Sequence, residues 1–196
     1  MINGLPAYQY EDIQAIIEAC GDRRGVCVDG GANVGVWTVH LMRYFHRVLA
    51  FEPIPHIYEC LEKNVAAYSP DRGSSKQTEI LRVALSDHDG TVPMTPRSGL
   101  GWAVHPHSKS KDAPTDMHCL KLDSLRLQRL DLLKLDLEGH EYEALQGAMK
   151  TIEACKPVVV VEEKLDKMQR SVGLLTDLGM ECIGVYNKHD YLFVWP

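Results

Sequence analysis

The stretch from Val26 to Glu52 constrains the fold of this chain more than any other part of the sequence. It contains a short apolar run, a glycine-rich turn, an amphipathic run and a second apolar run that ends in an acid. Short apolar runs rich in β-branched residues are typical of strands buried on both faces, and apolar residues at helical spacing predict a helix between them. The stretch therefore predicts a β-α-β unit within an open parallel sheet.

The turn and the two strand ends indicate the class of ligand. In an open parallel sheet the ligand lies beyond the carboxyl ends of the strands, where Asp29 and Glu52 would meet. A dinucleotide site requires G-x-G-x-x-G, whereas the spacing here is Gly31, Asn33, Gly35, and an acid before the turn would repel a pyrophosphate. An acid before the turn suits a cationic group, and an acid after the second strand suits ribose hydroxyls. S-adenosylmethionine has an ammonium, a sulfonium and a ribose.

Four motifs, in this order, resemble those of the FkbM family of class I S-adenosylmethionine-dependent methyltransferases. They are Asp29-Gly-Gly-Ala-Asn-Val-Gly35, Phe51-Glu-Pro53, Val83-Ala-Leu-Ser-Asp87 and Leu133-Lys-Leu-Asp-Leu-Glu-Gly-His-Glu141. The last is similar to the family signature K-x-D-x-E-G-x-E, and the resemblance spans about residues 25 to 163. It implies an α/β, Rossmann-like class I methyltransferase fold. The expected sheet is seven-stranded and mostly parallel, with a terminal antiparallel hairpin and helices on both faces.

The resemblance also implies which residues bind the cofactor. Asp29 would hold its methionine end, directly or through water, and Glu52 would hold the ribose. Ala84 and Leu85 would lie near the adenine. The full expected set is Asp29, Gly30, Gly31, Asn33, Gly35, Glu52, Pro53, Ala84, Leu85 and Asp136.

Acids near the end of the predicted strand from Asp131 to Leu137 are candidates for chemistry. Alternation along the strand places Lys134, Asp136 and Glu138 on one side. Two acids at a cofactor-facing strand end cost desolvation and so need a functional reason. The predicted bases are Glu138, ranked first, Asp136, His140 and Glu162.

A metal site is the alternative use of the same acids. Asp136, Glu138 and Glu162 would bind Mg²⁺ or Mn²⁺, which would lower the pKa of an acceptor hydroxyl. Glu141 and Glu143 have a structural explanation, because acids in the first turn of a helix complement its dipole.

The identity of the methyl acceptor follows from the resemblance alone. It implies O-methylation of a hydroxyl on a sugar or another small natural-product-like molecule. An amine or protein acceptor, and a non-catalytic protein that binds S-adenosylmethionine or a nucleoside, are the alternatives. A nicotinamide oxidoreductase is disfavoured by the glycine spacing. A [DNS]-P-P-[YFW] signature at the end of the fourth strand would indicate amino-methylation of nucleic-acid bases. The chain has Asp-Leu-Glu-Gly at this place, so that reaction is disfavoured.

The remaining segments complete a single predicted domain over residues 1–196, with an N-terminal helical segment (1–24). We expect one strand over Thr78–Leu85, a helix over His140–Lys150, a helix over Lys164–Leu178 and a terminal hairpin. Residues 86–130 form a predicted insertion. Within it, Thr95–Thr115 is interpreted as a substrate lid containing Trp102, His105 and His107.

Charge and cysteine content limit the partners and the cellular compartment that we expect. The 21 basic and 27 acidic side chains give a net charge of −6, which offers no electrostatic reason to expect a nucleic acid or an anionic membrane as partner. Six scattered cysteines suggest free thiols in a reducing compartment. The sequence lacks a recognisable leader and a long apolar run. We therefore expect a cytoplasmic protein whose partner is a small-molecule acceptor.

Overall fold

The computed structural model describes residues 1–2, 4–69, 77–96, 102–103, 113–163 and 169–196. The helices in these ranges are α1 (Tyr10–Ala19), α2 (Val36–Tyr44), α3 (Pro55–Tyr68), α4 (Glu141–Gln146), α5 (Met149–Cys155) and α6 (Arg170–Asp177), with a 3-10 helix at Leu122–Leu125. The strands are β1 (Val26–Gly30), β2 (Arg47–Phe51), β3 (Gln77–Leu81), β4 (Ala84–Leu85), β5 (Gly90–Pro96), β6 (Trp102–Ala103), β7 (Thr115–Leu120), β8 (Leu132–Leu135), β9 (Val158–Glu162), β10 (Glu181–Tyr186) and β11 (Asp190–Val194).

Seven of these strands form one sheet in the order β10-β11-β9-β8-β1-β2-β3. The pairs from β9 to β3 are parallel, and β11 is antiparallel to both β9 and β10. The predicted β-α-β unit is confirmed as β1-α2-β2. Because β1 lies between β2 and β8, the register places Asp29 beside both Ala50 and Lys134.

Helices cover both faces of this sheet, as predicted. On one face α1, α2 and α3 pack through side chains such as Ile16, Leu41 and Leu61 against alternate strand residues. On the other face α4, α5 and α6 pack against the intervening strand residues, for example through Leu145 and Leu175. The β-branched strands are buried on both sides, which accounts for their continuous apolar runs.

A second sheet corrects one prediction and bears on another. The expected strand over Thr78–Leu85 is divided, because the chain leaves the large sheet after β3 and β4 joins a four-stranded sheet of order β4-β7-β5-β6. Part of the predicted lid is also strand, with Trp102 paired to Pro96 through the backbone. His105 and His107 lie outside the described residues, so a lid function stays a prediction.

The predicted helix over His140–Lys150 is two helices, separated at Gly147. A Cβ at Gly147 would lie 1.9 Å from the carbonyl oxygen of Ser86. The contact between these two backbones therefore requires glycine, and the chain changes direction there. The helix expected over Lys164–Leu178 is described only from Arg170, where α6 begins.

Among the described helices, none combines the length and the hydropathy needed to cross a lipid bilayer.

Candidate functional site

A cavity opens at the carboxyl ends of β1, β2 and β8, where the sequence predicted a ligand. One part of its wall is apolar and another part is polar. The apolar part comprises Phe51, Pro53, Ile54, Ile57, Val83, Ala84, Leu85, Met94 and Leu137. The polar part comprises Gly31, Asn33, Glu52, Asp136, Glu138 and His140.

Glu52 is held rigidly in the wall of this cavity. Its Oε2 accepts a hydrogen bond of 3.0 Å from the backbone N–H of Asn33, and its Oε1 accepts one of 2.9 Å from that of Ile54. Burial raises the pKa of Glu52, and these two hydrogen bonds act in the opposite direction. A carboxylate fixed by backbone donors keeps lone pairs for a hydroxylated ligand, as expected for ribose binding.

The glycine turn lies against the strand that carries the predicted catalytic acids. Gly31 has φ of 70°, and a Cβ there would lie 1.9 Å from the carbonyl oxygen of Asp136. The N–H groups of Gly31 and Ala32 both donate to the carbonyl oxygen of Phe51. Only glycine permits this approach, so the turn sequence determines how closely β1 and the end of β8 meet.

Asp29, predicted to hold the methionine end of the cofactor directly or through water, is bonded within the protein. Its side chain is completely buried, its Oδ2 accepts a 2.6 Å hydrogen bond from the Thr38 hydroxyl, and its Oδ1 lies 2.9 Å from Lys134 Nζ. Of the predicted cofactor-binding residues, Asp29, Gly30 and Gly35 are not among those that line the cavity in the described part of the chain. Asn33, Glu52, Ala84 and Asp136 do line it.

Lys134 is a buried residue near the site to which the sequence analysis assigned no role. Its Nζ lies within 3.2 Å of the carbonyl oxygen of Gly30 and within 3.0 Å of that of Gly31. Burial acts to lower the pKa of Lys134, but the neighbouring carboxylates of Asp29 and Asp136 outweigh it and the pKa is raised. A lysine within an apolar strand needs a buried partner of opposite charge. The position of Lys134 in such a strand was therefore the signal in the sequence that it has a buried acidic partner.

The carboxylates that meet near the end of β8 differ from the predicted set. Among the described residues, Asp136, Glu141 and Glu162 each place a carboxylate oxygen within 4.8 Å of the others. Glu138, expected in the metal-binding group, has φ of 55° and lies in the turn after β8. The strand alternation does not extend to Glu138, which is not part of this group, and a metal shared by Glu138 with Asp136 and Glu162 stays a prediction. Glu138 still lines the cavity.

Glu141 takes the place expected for Glu138 in this group, although it was predicted to complement a helix dipole. Its Oε1 accepts hydrogen bonds from the N–H groups of Leu137 and Gly139. Burial raises the pKa of Glu141 to about 7. Burial, with a smaller contribution from Asp136, also raises the pKa of nearby Asp190 to about 6. Glu141 is not among the described residues that line the cavity, so its contact with a ligand would run through its neighbours.

His140, a predicted base, is oriented by two side chains. Its Nε2 lies 2.9 Å from the hydroxyl oxygen of Ser86, and its Nδ1 lies 3.6 Å from Glu143 Oε2. Ser86 is fully buried, and it follows Leu85 at the end of β4. His140 therefore lies at the end of the cavity near Ala84 and Leu85, where adenine was expected, with each ring nitrogen close to a protein group.

The cavity matches the chemistry of S-adenosylmethionine. Its apolar wall offers a surface for adenine, Glu52 offers acceptors for ribose hydroxyls, and Asp136 and Glu138 offer negative charge for a cationic group.

Solved structures with similar folds define the class. A methyltransferase FkbM from Methylobacillus flagellatus KT superposes with a TM-score of 0.61 at 17% identity, covering 89% of this chain and 44% of that chain. A precorrin-6y C5,15-methyltransferase from Geobacter metallireducens GS-15 superposes with a TM-score of 0.54 at 15% identity, covering 98% and 91%. The chain thus has the Rossmann-like fold of class I methyltransferases.

The family follows from the sequence match. Residues 29–185 match the model of the methyltransferase FkbM domain, and the chain belongs to that family. Methyltransferase sdnD from Sordaria araneosa is 30% identical to this chain in a match that covers 61% of this chain and 59% of the relative. The matched region therefore spans less than two thirds of the length of this relative.

Proposed function

We propose that this protein transfers a methyl group from S-adenosylmethionine to a hydroxyl of a small acceptor such as a sugar. The observation that carries the proposal is the position of Glu52. Its carboxylate is held by two backbone N–H groups in the wall of a cavity that is apolar on one part and acidic on another. S-adenosylmethionine would supply an electrophilic methyl group on its sulfonium.

The protein's part in the transfer would be to align the acceptor oxygen and to remove its proton. We assign the proton transfer to Glu138 first, because it lines the cavity in the turn beyond β8. Asp136 and His140 also line the cavity and remain in the proposed set. Glu162 contributes through the carboxylate group rather than through the described cavity wall.

The first experiment is isothermal titration with S-adenosylmethionine and S-adenosylhomocysteine. We expect micromolar binding of both, weakened about tenfold or more in Glu52→Gln, which loses one charged acceptor for the ribose. Glu79→Gln is the matched control, because Glu79 lies on the neighbouring strand β3 and pairs with Arg47 away from the cavity. Absence of binding to either nucleoside by the wild-type protein would refute the proposed cofactor.

The second experiment identifies the acceptor. S-adenosylhomocysteine release would be measured with monosaccharides and other polyhydroxylated molecules, and with primary amines as the competing class. Turnover with hydroxyl acceptors that is lost in Glu138→Gln, with cofactor binding retained, would support the assigned base. Cofactor binding without turnover by any acceptor would favour a binding protein on this fold.

A divalent cation is part of the proposal only in one form of the mechanism. Asp136, Glu141 and Glu162 provide the oxygen ligands that Mg²⁺ or Mn²⁺ prefers. Loss of turnover in EDTA with recovery on adding Mg²⁺ would assign acceptor activation to a metal at these residues. Equal turnover with and without EDTA would assign it to one of the proposed bases without a metal.

A further inference from the structure

A groove runs along β3 and the amino-terminal parts of β1 and β2, on the face of the large sheet that α4, α5 and α6 cover. Its volume is about 370 Å³, which lies within the range of roughly 300–1,000 Å³ that is usual for small-molecule sites. Among the described residues, none that lines this groove also lines the candidate cofactor cavity. The groove is therefore a separate site, and the proposed methyl transfer gives it no role.

The floor and one wall of the groove are aliphatic. Val26, Leu49 and Leu81 come from three neighbouring strands and lie on the same face, because the strands are paired in register. Leu125 and Leu127 lie opposite them, at the end of the 3-10 helix and in the irregular segment that follows it. Of these five side chains only Leu49 is buried, and the others are partly exposed. An aliphatic ligand in the groove would remove this surface from water, which is favourable.

Three arginines from separate segments form the rim of the groove. Arg47 begins β2, Arg126 follows the 3-10 helix and Arg129 precedes β8. Arg47 donates from Nε to Glu79, which also borders the groove. Arg129 donates from Nε to Asp131. Each of these ion pairs engages one N–H of a guanidinium group that has several.

The rim carries surplus positive charge. Within the described ranges, no carboxylate forms an ion pair with the exposed side chain of Arg126. Three cationic side chains thus meet only the carboxylates of Glu79 and Asp131, although the chain as a whole has a net charge of −6. The groove combines this charge with an aliphatic wall, so the ligand that complements it has an anionic end and an aliphatic end.

We propose that this groove binds a small amphipathic anion, a short aliphatic chain with a carboxylate or phosphate head group. The chain lies against the five aliphatic side chains, and the head group lies among Arg47, Arg126 and Arg129. A guanidinium group donates two parallel N–H bonds to the oxygens of either head group, which a lysine ammonium does not do. The site is independent of the proposed methyl transfer, because the two sets of lining residues are separate.

The test is isothermal titration of the whole chain with probes that differ in one property at a time. Octanoate and octyl phosphate carry the two anionic head groups on the same chain, and the tighter of the two identifies the preferred head group. Octanol and octylamine keep the chain without the negative charge. Hexanoate and decanoate change the chain length alone. Each titration with octanoate is repeated in excess S-adenosylhomocysteine, which would compete for the cofactor cavity but not for the groove.

The variants remove the charge of the rim. Arg126→Gln changes an exposed side chain, and Arg126→Gln combined with Arg129→Gln removes two of the three guanidinium groups. Lys63→Gln is the matched control, because Lys63 is exposed on α3, which covers the other face of the sheet. Thermal unfolding of each variant would establish that it is folded.

We expect at least one of the two anions to bind, and octanol and octylamine to bind at least about tenfold more weakly. Octanoate should bind roughly tenfold more tightly than hexanoate, because two more methylene groups leave water. Arg126→Gln should weaken binding of the anions about threefold and the double variant about tenfold, with no change in Lys63→Gln. S-adenosylhomocysteine should leave the affinity for octanoate unchanged.

Four results would overturn the proposal. They are absence of binding by either anion, equal binding of octylamine, an affinity that does not depend on chain length, and equal affinities of the wild-type protein and the double variant. Loss of octanoate binding in the presence of S-adenosylhomocysteine would also overturn it, since that result would place the probe in the cofactor cavity.

Discussion

Strands β1 and β8 lie side by side in the centre of the large sheet, and each end of the pair has a buried acid with cationic partners. At the amino end, Asp131 accepts hydrogen bonds from the N–H groups of Gly25 and Val26 and from Arg23 and Arg129. At the carboxyl end, Asp29 is paired with Lys134. Both acids are nearly or completely inaccessible, with exposed fractions of 2% and 0%.

The partners of the two acids differ in exposure. The side chains of Arg23 and Arg129 are 43% and 57% exposed, so water solvates much of their charge. Lys134 is 4% exposed and contacts a turn that borders the cavity. Asp131 is thus paired with solvent-exposed arginines at the amino end of the strands. Asp29 instead forms a buried ion pair at the carboxyl end, next to the cavity where a ligand is expected.

Lys134→Met should have the largest effect, because it leaves the Asp29 carboxylate buried without its cationic partner. We expect a loss of about 3–5 kcal/mol in the free energy of unfolding, measured by urea denaturation. Adding Asp29→Asn to Lys134→Met should recover part of the loss, which a double-mutant cycle would quantify. Lys150→Met, on the exposed surface of α5, is the control and should change stability little. A loss in Lys134→Met as small as that in the control would contradict the comparison.

Asp131→Asn should have the next largest effect. Both carboxylate oxygens of Asp131 accept hydrogen bonds, from the two arginines and from two backbone N–H groups. In either orientation the amide NH₂ of asparagine would therefore face a donor instead of an acceptor. We expect a loss of about 2–3 kcal/mol in urea denaturation, with no change in nucleoside affinity for the folded protein. Weaker S-adenosylhomocysteine binding by folded Asp131→Asn would show that the two ends of the strands are not independent.

Glu141→Gln should alter the pH dependence of stability near the cavity. Because burial raises the pKa of Glu141 from 4.5 to about 7 in the folded protein, the unfolded state loses this proton first as the pH rises. Wild-type stability therefore falls between about pH 4.5 and 7, by an amount on the order of 3 kcal/mol from this group. Thermal unfolding would be measured at pH 5 and pH 8. We expect the stability of Glu141→Gln relative to the wild-type protein to be higher at pH 8 than at pH 5. Exposed Glu153 provides the control variant Glu153→Gln, and an equal gain there would argue against this cause.

Arg129→Met should have the smallest effect of the four substitutions, and it matches Lys134→Met in chemistry. Arg129 is more than half exposed, and Arg23 and two backbone N–H groups would still hold Asp131. We expect a loss below about 1 kcal/mol that decreases further at high salt. A loss equal to that of Lys134→Met would remove the distinction between an exposed and a buried partner.

Local patterns were sufficient for the parts of the fold that depend on neighbouring residues. The apolar runs of β1 and β2, the helix after the glycine turn and the position of Glu52 at a strand end all follow from periodicity. The terminal hairpin over β10 and β11 was also predicted, and its pairing is antiparallel as expected. Each of these features is specified within one short stretch of sequence.

Contacts between distant stretches decided the rest. The strand predicted over Thr78–Leu85 is split because β4 pairs with β7. In this pairing Ala84 lies opposite Cys119, which is about 35 residues further along the chain. The break after α4 depends on the approach of Gly147 to Ser86. Such contacts leave little trace in the local periodicity from which the elements were predicted.

The sequence by itself determined that acids would gather at the carboxyl ends of β1, β2 and β8, because strand order and alternation carry their side chains there. Only the tertiary structure decided which acids face the cavity. Lys134 is long enough to reach Asp29 and the glycine carbonyls, and the positive φ of Glu138 turns the chain so that Glu141, rather than Glu138, joins Asp136 and Glu162. A side chain's reach and a backbone turn are three-dimensional properties, and the burial of each charge depends on them.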